Sequence, residues 1–315
     1  MSGETILISC VQLQRTLAEH QARLDERGAR LLTPPVVQQL SEAELLEIVP
    51  DIDGIVAGDD ELSRVVLEHA PRLRIISKWG IGIDAIDLDA ARELGIRVTN
   101  TPGVFGDEVA DVALGYLIML ARQLHAIDRG VRAGDWPKPV GTSLAGRTLG
   151  VVGLGDIGLA VGRRGLAIGM RVIGVETDPD RAAAAAAAGI GVTDLDTLLR
   201  EADAVSLNCP LTPATWHLLD ADRIGSMRPG AWIVNTARGP LIDEAALVAA
   251  LESGHIGAAA LDVFEVEPLP AESRLRTMDQ VILGSHNGSN TAEAVHRTSV
   301  RAIDNLVRGL DEVTR

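Results

Sequence analysis

The chain has 315 residues, of which 46% are hydrophobic, so it is long enough for two globular domains and is not intrinsically disordered. Its formal net charge of −15 argues against a nucleic-acid-binding protein, because such proteins carry basic patches that neutralise phosphates. The two cysteines, Cys10 and Cys209, are too few for a disulfide framework or a metal cluster. Since the chain also has neither a signal-peptide pattern nor an apolar run of about 18 residues, we expect a cytoplasmic protein with no metal site and no membrane span.

The first hundred residues alternate short apolar strands with helical patterns. Strands are predicted over residues 5–9, 29–32, 54–57, 73–77 and 97–99, with helices such as 13–27 and 41–49 between them. Short apolar strands separated by helices indicate a parallel sheet with helices on its faces.

The next predicted helix, residues 107–124, is apolar almost all round, which indicates burial on every side. It is either a core helix or a helix packed against a second subunit. We favour the second interpretation and expect a homodimer through residues 107–124, because a helix between two lobes has few other surfaces to bury against. Residues 132–146 are predicted as a loop.

A glycine-spaced turn follows a buried strand predicted over residues 148–153. Gly153 permits a tight turn, Gly155 lets the backbone approach a pyrophosphate, and Gly158 lets the following helix pack closely on the strand. In a chain with 32 glycines, the same spacing also fits a flexible turn. The strand before it and the helical pattern after it favour a dinucleotide site.

The strand predicted over residues 170–176 ends in a carboxylate. Glu176 stands about 20 residues after the glycine turn, where a dinucleotide site needs an acceptor for the ribose hydroxyls. Its charge opposes a 2′-phosphate, which favours NAD over NADP. Arg181 is the exception nearby, because an arginine at this point could accept a phosphate.

Further strands are predicted over residues 203–208, 231–235, 258–263 and 281–284, and a last helix over 291–308. This alternation is typical of a doubly wound dinucleotide-binding domain. Three polar segments, residues 235–243, 261–268 and 284–288, follow strand ends at the edge where open parallel sheets bind ligands.

Those three segments supply a guanidinium, a carboxylate and an imidazole. Carbonyl reduction needs a cation for the substrate carboxylate, an acid that titrates near neutral pH, and an acidic partner for that acid. Each group alone has a structural alternative, since an Arg can form a surface ion pair, a Glu can cap a turn and a His can be structural. The combination favours the catalytic interpretation.

With these motifs the chain resembles the NAD-dependent D-2-hydroxyacid dehydrogenases, a family that includes phosphoglycerate and glyoxylate/hydroxypyruvate dehydrogenases. The resemblance covers nearly the whole length and rests on residues 78–87, 100–103, 153–158, 209–215, 235–243, 262–268 and His286. It implies two doubly wound parallel-sheet domains. Residues 1–101 and 287–315 would form a flavodoxin-like substrate domain around an inserted Rossmann NAD-binding domain, residues 102–286.

The resemblance also implies the roles of individual residues. Arg238 would hold the substrate, His286 would be the proton donor in reduction, and Glu267 would bind His286 and favour its charged form. The substrate-side loop would be Lys78, Trp79, Gly80 and Ile81, with backbone N–H groups at Gly80 and Ile81 binding the substrate carboxylate. The implied cofactor contacts are Gly153, Gly155, Asp156, Ile157, Gly158, Glu176, Cys209, Pro210, Thr215, Ala237, Asp262 and Gly288.

The sequence defines the identity of the substrate less closely than it defines the type of reaction. A phosphoglycerate dehydrogenase is the leading expectation, with Lys78 as a possible phosphate ligand, although Lys78 could equally be a solvated loop charge. The alternative is a reductase of glyoxylate, hydroxypyruvate or another 2-oxo acid, and Ser285 and residues 287–290 depart from the family's pattern around His286. A third possibility, a non-catalytic NAD-sensing corepressor or scaffold, is disfavoured by the intact Arg238, Glu267 and His286.

Overall fold

The computed structural model describes residues 3–312, which divide into two compact units. The first unit combines the chain up to Val104 with the chain from Asn290 onward, and the second unit is Phe105–Ser289. Each unit contains one sheet in which all the strands are parallel. The predicted α/β fold class is therefore confirmed.

The elements follow the predicted alternation. The strands are β1 (Thr5–Ile8), β2 (Arg30–Leu32), β3 (Gly54–Ala57), β4 (Ile75–Lys78), β5 (Arg97–Thr99), β6 (Thr148–Val152), β7 (Arg171–Val175), β8 (Gly191–Val192), β9 (Ala204–Leu207), β10 (Ala231–Asn235), β11 (Ile256–Leu261) and β12 (Val281–Leu283). The helices are α1 (Val11–Asp25), α2 (Glu42–Ile48), α3 (Arg64–Glu68), α4 (Leu88–Glu93), α5 (Gly106–Arg122), α6 (Leu124–Ala133), α7 (Asp156–Ala167), α8 (Pro179–Ala187), α9 (Leu195–Glu201), α10 (Ala221–Ser226), α11 (Glu244–Glu252) and α12 (Ala292–Glu312).

The sheet of the first unit has the order β2-β1-β3-β4-β5, which is the flavodoxin-like order. Its central strands β1, β3 and β4 are buried along their whole length, which suits their largely apolar sequences. α12, from the far end of the chain, packs on β3 and β4, where its Leu306 and Leu310 lie beside Gly54. This contact joins the two chain segments of the unit into one core.

The sheet of the second unit has the order β12-β11-β10-β9-β6-β7-β8. Read from β8, this is the Rossmann order 3-2-1-4-5-6 with one further strand. The chain reverses direction across the sheet between β6 and β9, and the carboxyl end of β6 carries the glycine turn. Ligands bind at such a switch point in open parallel sheets.

The segment predicted as one helix over residues 107–124 differs in two ways. α5 ends at Arg122 because Gln123 takes a left-handed conformation with φ +51°, and α6 then extends to Ala133, into the start of the predicted loop. The predicted burial on every side is wrong within the chain, because Val112 and Ile118 stay partly exposed while Leu117 is buried.

Within residues 3–312, each helix is too short or too polar to cross a membrane.

Candidate active site

The glycine turn joins β6 to α7, and its three glycines meet different steric demands. Gly153 has φ +87°, and a Cβ there would lie 2.8 Å from the backbone of Cys209. A Cβ at Gly158 would lie 1.8 Å from the carbonyl oxygen of Gly153, so strand and helix approach too closely for any side chain. Gly155 is the N-cap of α7, whose first N–H groups have no partner within the helix. Together these features form a cradle suited to a pyrophosphate.

Glu176 follows β7 and is fixed beside this turn. Its carboxylate accepts hydrogen bonds from the backbone N–H groups of Leu154 (2.9 Å), Thr177 (2.8 Å) and Asp178 (3.0 Å). Burial raises the pKa of Glu176, but the three N–H donors outweigh burial and hold the pKa below its usual value. The ionised carboxylate fits a ribose diol and repels a 2′-phosphate.

Arg181, which in sequence could have accepted the 2′-phosphate of NADP, lies near the same turn. Its Nη1 would be 3.6 Å from a Cβ at Gly155, and its Nε is 3.9 Å from Asp178 Oδ2. The guanidinium therefore shares its surroundings with the carboxylates of Glu176 and Asp178, which favours an unphosphorylated ribose.

The other predicted cofactor residues lie at the ends of strands of the same sheet or in the loops that follow. Thr215 Oγ1 donates to the carbonyl oxygen of Pro210 at 2.7 Å, which fixes the loop after β9. Burial raises the pKa of the Cys209 thiol to about 11, so the thiol is uncharged where Cys209 packs against the glycine turn. Asp156 and Ile157 open α7.

Asp262, at the end of β11, is buried and connects three elements. Its Oδ2 accepts from the backbone N–H of Gly288 at 2.8 Å, and its Oδ1 accepts from the hydroxyl of Tyr116 at 3.2 Å. A Cβ at Gly284 would lie 2.2 Å from Asp262 Oδ1 and 2.3 Å from the Tyr116 hydroxyl, so only glycine fits there. Tyr116 on α5 and Gly284 were not predicted as site residues. The only tyrosine of the chain, inside an apolar helix, was the available signal for Tyr116.

Arg238 follows β10, and hydrogen bonds with the neighbouring residues Asn235 and Ala237 fix its backbone and its guanidinium. The Asn235 side chain donates to the carbonyl oxygen of Arg238 at 2.7 Å and accepts from the N–H of Ala237 at 3.0 Å. The guanidinium donates to the carbonyl oxygen of Ala237 at 2.8 Å. A Cβ at the next residue, Gly239, would lie 1.9 Å from the backbone of Phe264. The Arg238 segment therefore packs directly on the turn that carries Glu267.

His286 and Glu267 lie within hydrogen-bond distance, with 2.8 Å between His286 Nδ1 and Glu267 Oε2. The other carboxylate oxygen of Glu267 accepts from the backbone N–H of Phe264 at 2.9 Å. The His286 backbone has φ +53°, and its N–H donates to the carbonyl oxygen of Asp262 at 2.6 Å. Because Nδ1 faces the carboxylate, this contact favours the tautomer of the neutral ring that carries its proton on Nδ1.

The predicted substrate-side loop belongs to the first unit, and there the structure changes the expectation for Lys78. Its Nζ is 2.9 Å from Asp59 Oδ1 and donates to the carbonyl oxygen of Trp79 at 3.1 Å. Lys78 is only 4% exposed. Lys78 is therefore a buried ammonium group paired with a carboxylate, and not a solvated loop charge.

Gly80 and Ile81 differ as donors. Gly80 has φ +130°, and its N–H donates to Thr101 Oγ1 at 3.0 Å. Within residues 3–312, the Ile81 N–H has no acceptor. Trp79 is buried, with its indole N–H donating to Ser299 Oγ at 3.0 Å. Ile81 is therefore the member of the loop with a backbone donor to offer.

Comparison with known proteins gives one family. The profile of the D-isomer specific 2-hydroxyacid dehydrogenase NAD binding domain matches residues 114–288. The chain is 39% identical to a glyoxylate reductase of Thermofilum pendens over 85% of this chain and 81% of that protein. It is also 39% identical to a hydroxypyruvate reductase of Thermotoga maritima, over 87% of this chain and 90% of that one.

Two further similarities bear on substrate and cofactor. A D-3-phosphoglycerate dehydrogenase of Methanocaldococcus jannaschii is 41% identical over 82% of this chain but only 50% of its own length. The D-lactate dehydrogenase of Aquifex aeolicus, solved with NAD and lactic acid, superposes with a TM-score of 0.84 at 28% identity, covering 98% of this chain and 96% of that one. The predictions of an enzyme and of NAD as its cofactor are confirmed.

Proposed function

Because this chain belongs to the D-isomer specific 2-hydroxyacid dehydrogenase family and is an NAD-dependent oxidoreductase, we propose that it reduces a small unphosphorylated 2-oxo acid, glyoxylate or hydroxypyruvate, to the corresponding 2-hydroxy acid. The observation that carries the choice is the ion pair between Lys78 and Asp59. Asp59 Oδ1 lies 2.9 Å from the buried ammonium group of Lys78. A substrate phosphate would have to replace this carboxylate, and removing the phosphate from water would cost a large amount of free energy. An uncharged hydroxymethyl or aldehyde end makes no such demand.

The second unit binds the cofactor in this proposal. Gly153, Gly155 and Gly158 would receive the pyrophosphate, and Glu176 would accept hydrogen bonds from the adenosine ribose. Asp262 and Gly288 would lie on the nicotinamide side. When bound, the reduced nicotinamide supplies the hydride for the substrate's carbonyl carbon.

Arg238 binds the substrate in this proposal. Its planar guanidinium can hold a carboxylate through two parallel hydrogen bonds and polarise the adjacent carbonyl group. The contacts of Asn235 with the Arg238 and Ala237 backbone fix the start of the side chain, which limits the orientations of the guanidinium.

The proton comes from His286. Its Nε2–H donates to the carbonyl oxygen as that oxygen gains negative charge, and the new hydroxyl group keeps the proton. Glu267 accepts from Nδ1–H, stabilises the charged imidazolium before transfer and fixes the tautomer after it. Solvent then returns a proton to Nε2, which completes the balance.

The quaternary structure is part of the same proposal. Val112 and Ile118 on α5 stay partly exposed in the chain although both are large and apolar. Covering them in a homodimer through residues 107–124 would remove that exposure. A monomer mass in analytical ultracentrifugation would contradict it.

A 3-phosphoglycerate dehydrogenase is the second candidate, and the 41% identity to the Methanocaldococcus jannaschii enzyme favours it. The discriminating experiment follows NADH oxidation with glyoxylate, hydroxypyruvate and phosphohydroxypyruvate. We expect kcat/KM for one of the unphosphorylated acids to exceed that for phosphohydroxypyruvate by about tenfold or more, the cost of one unmatched charged contact.

The opposite ranking would overturn the substrate and favour the second candidate. As a matched pair, Arg238→Ala should abolish turnover while NADH binding persists, and Arg274→Ala, at an exposed arginine paired with Glu252, should leave both unchanged. Turnover near the wild-type level in Arg238→Ala would refute the role of Arg238.

A further inference from the structure

A histidine pair joins the first and last helices of the first unit, whereas the residues assigned to catalysis belong to the second unit. His20 on α1 and His296 on α12 have ring centroids 5.3 Å apart with planes inclined by 32°. Glu19 precedes His20. One ligand-type atom from each of the three side chains lies within 4.8 Å of the other two.

His20 is the unusual member of this cluster. Its side chain is buried, at 3% exposure, and its Nε2 has no hydrogen-bond partner among the residues that the structure describes. A buried ring nitrogen without a partner costs free energy, and such a group in a native structure calls for an explanation. Ring nitrogens of histidine are common metal ligands, so an ion is one partner that would satisfy this buried atom.

We propose that Glu19, His20 and His296 bind one divalent transition-metal ion of the zinc type, with His20 contributing its unpartnered Nε2. Two imidazoles and a carboxylate are the donors that Zn²⁺ accepts, whereas Mg²⁺ and Ca²⁺ prefer oxygen ligands. Three protein ligands leave the fourth tetrahedral position for water.

The geometry allows closure around an ion with small movements. Ligand atoms on one tetrahedral zinc ion lie roughly 3–4 Å apart, given bonds of about 2 Å. Glu19 and His296 are exposed, so their side chains can rotate inward by the ångström or so that separates 4.8 Å from this range. His20 is already fixed by its burial. The cluster thus has one immobile ligand and two adjustable ones.

The ion would fasten α1 to α12. α12 also carries Ser299, which accepts the hydrogen bond from Trp79, and Ala302, whose carbonyl oxygen accepts from Ser77 at 2.7 Å. A metal that restrains this helix stabilises the first unit without contacting the groups assigned to proton transfer. The effect to measure is therefore metal affinity and thermal stability, not turnover.

The test compares chelator-treated wild type, His296→Ala, Glu19→Gln and the control His69→Ala. His69 is an exposed histidine of the same unit outside the cluster, so its loss matches His296→Ala in residue type and exposure. Zn²⁺ is titrated calorimetrically, with Mg²⁺ as the control ion, and the melting temperature is recorded with and without Zn²⁺. The His286 and His217 pairs with glutamate are common to all four proteins and give the same background.

We expect wild type and His69→Ala to bind one more equivalent of Zn²⁺ than His296→Ala and to melt at higher temperature with it. Loss of an outer contact to a metal ligand costs about 10–100-fold in affinity, so loss of a ligand in His296→Ala or Glu19→Gln should cost at least about tenfold. The proposal is overturned if Zn²⁺ binds and stabilises His296→Ala as it does wild type, or if wild type binds no more Zn²⁺ than His296→Ala does. Mg²⁺ should have no effect.

Discussion

The second unit contains two histidine–glutamate pairs with similar separations, of which only the His286 pair has hydrogen-bond geometry. His286 Nδ1 is 2.8 Å from Glu267, and His217 Nε2 is 2.9 Å from Glu265. Both histidines have positive φ, 53° and 46°. The two glutamates are separated by a single residue in the turn that follows β11.

Their surroundings differ. The backbone of His286 is bonded to Asp262, which in turn holds Gly288 and Tyr116, and Glu267 is fixed by the Phe264 N–H. His217 instead stacks on Trp216, which is 56% exposed, and its partner Glu265 accepts from the backbone N–H of Glu244. The proposed role of His286 therefore rests on its connection to the strand ends that carry the predicted cofactor residues, and not on the imidazole–carboxylate pair alone.

The most direct way to break the comparison is to remove each imidazole in turn. His286→Gln should lower kcat for 2-oxo acid reduction by about 10²–10⁴-fold, because glutamine cannot transfer the proton. His217→Gln should change kcat by less than about threefold and alter local stability by at most about 1 kcal/mol. The measurement is NADH oxidation at saturating substrate, with NADH binding followed by fluorescence. Equal losses in the two variants would show that the surroundings do not distinguish the pairs.

Removing the carboxylates sharpens the comparison. Glu267→Gln should lower kcat by about 10–100-fold, since a hydrogen bond to a charged group contributes about 1.5–3 kcal/mol. Without the carboxylate the imidazolium loses its proton more readily, so the pH at which reduction begins to fail on the alkaline side should move to lower values. Glu265→Gln should leave the pH–rate profile unchanged. An unmoved profile in Glu267→Gln would contradict the role of Glu267 beside His286.

Much of this architecture could be predicted because it depends on local patterns. The apolar runs of β3 and β4 and the glycine spacing at Gly153 each act within a few residues, and parallel topology then brings strand ends to one edge of the sheet. For that reason Arg238, Glu267 and His286 were identifiable as types of residue at strand ends.

What could not be predicted depends on contacts between distant residues. Tyr116 meets Asp262 across 146 positions, and Lys78 meets Asp59 because β3 and β4 lie side by side. Neither contact leaves a periodic pattern. The electrostatic state of Lys78, on which the proposed preference for an unphosphorylated substrate rests, was therefore open until the structure placed a carboxylate beside it.

The smallest expected effect tests whether the Asp262 network is what separates the two pairs. In Gly284→Ala the new methyl group would overlap Asp262 Oδ1 and the Tyr116 hydroxyl, at 2.2 and 2.3 Å. Moving either group to relieve the overlap should cost about 1–3 kcal/mol of folding stability, as overpacking of a filled site does.

The control is Gly225→Ala in α10, where nothing lies within 4 Å of the new Cβ and φ is not positive. Alanine is the better helix former there by about 0.5–1 kcal/mol, so this variant should be neutral or slightly more stable. Urea unfolding gives both changes, and kcat should fall in Gly284→Ala alone, because His286 donates its backbone N–H to the carbonyl oxygen of the same Asp262. If Gly284→Ala lost stability but kept kcat, the network would support the fold without positioning His286, and the difference between the two pairs would have to lie in Glu267.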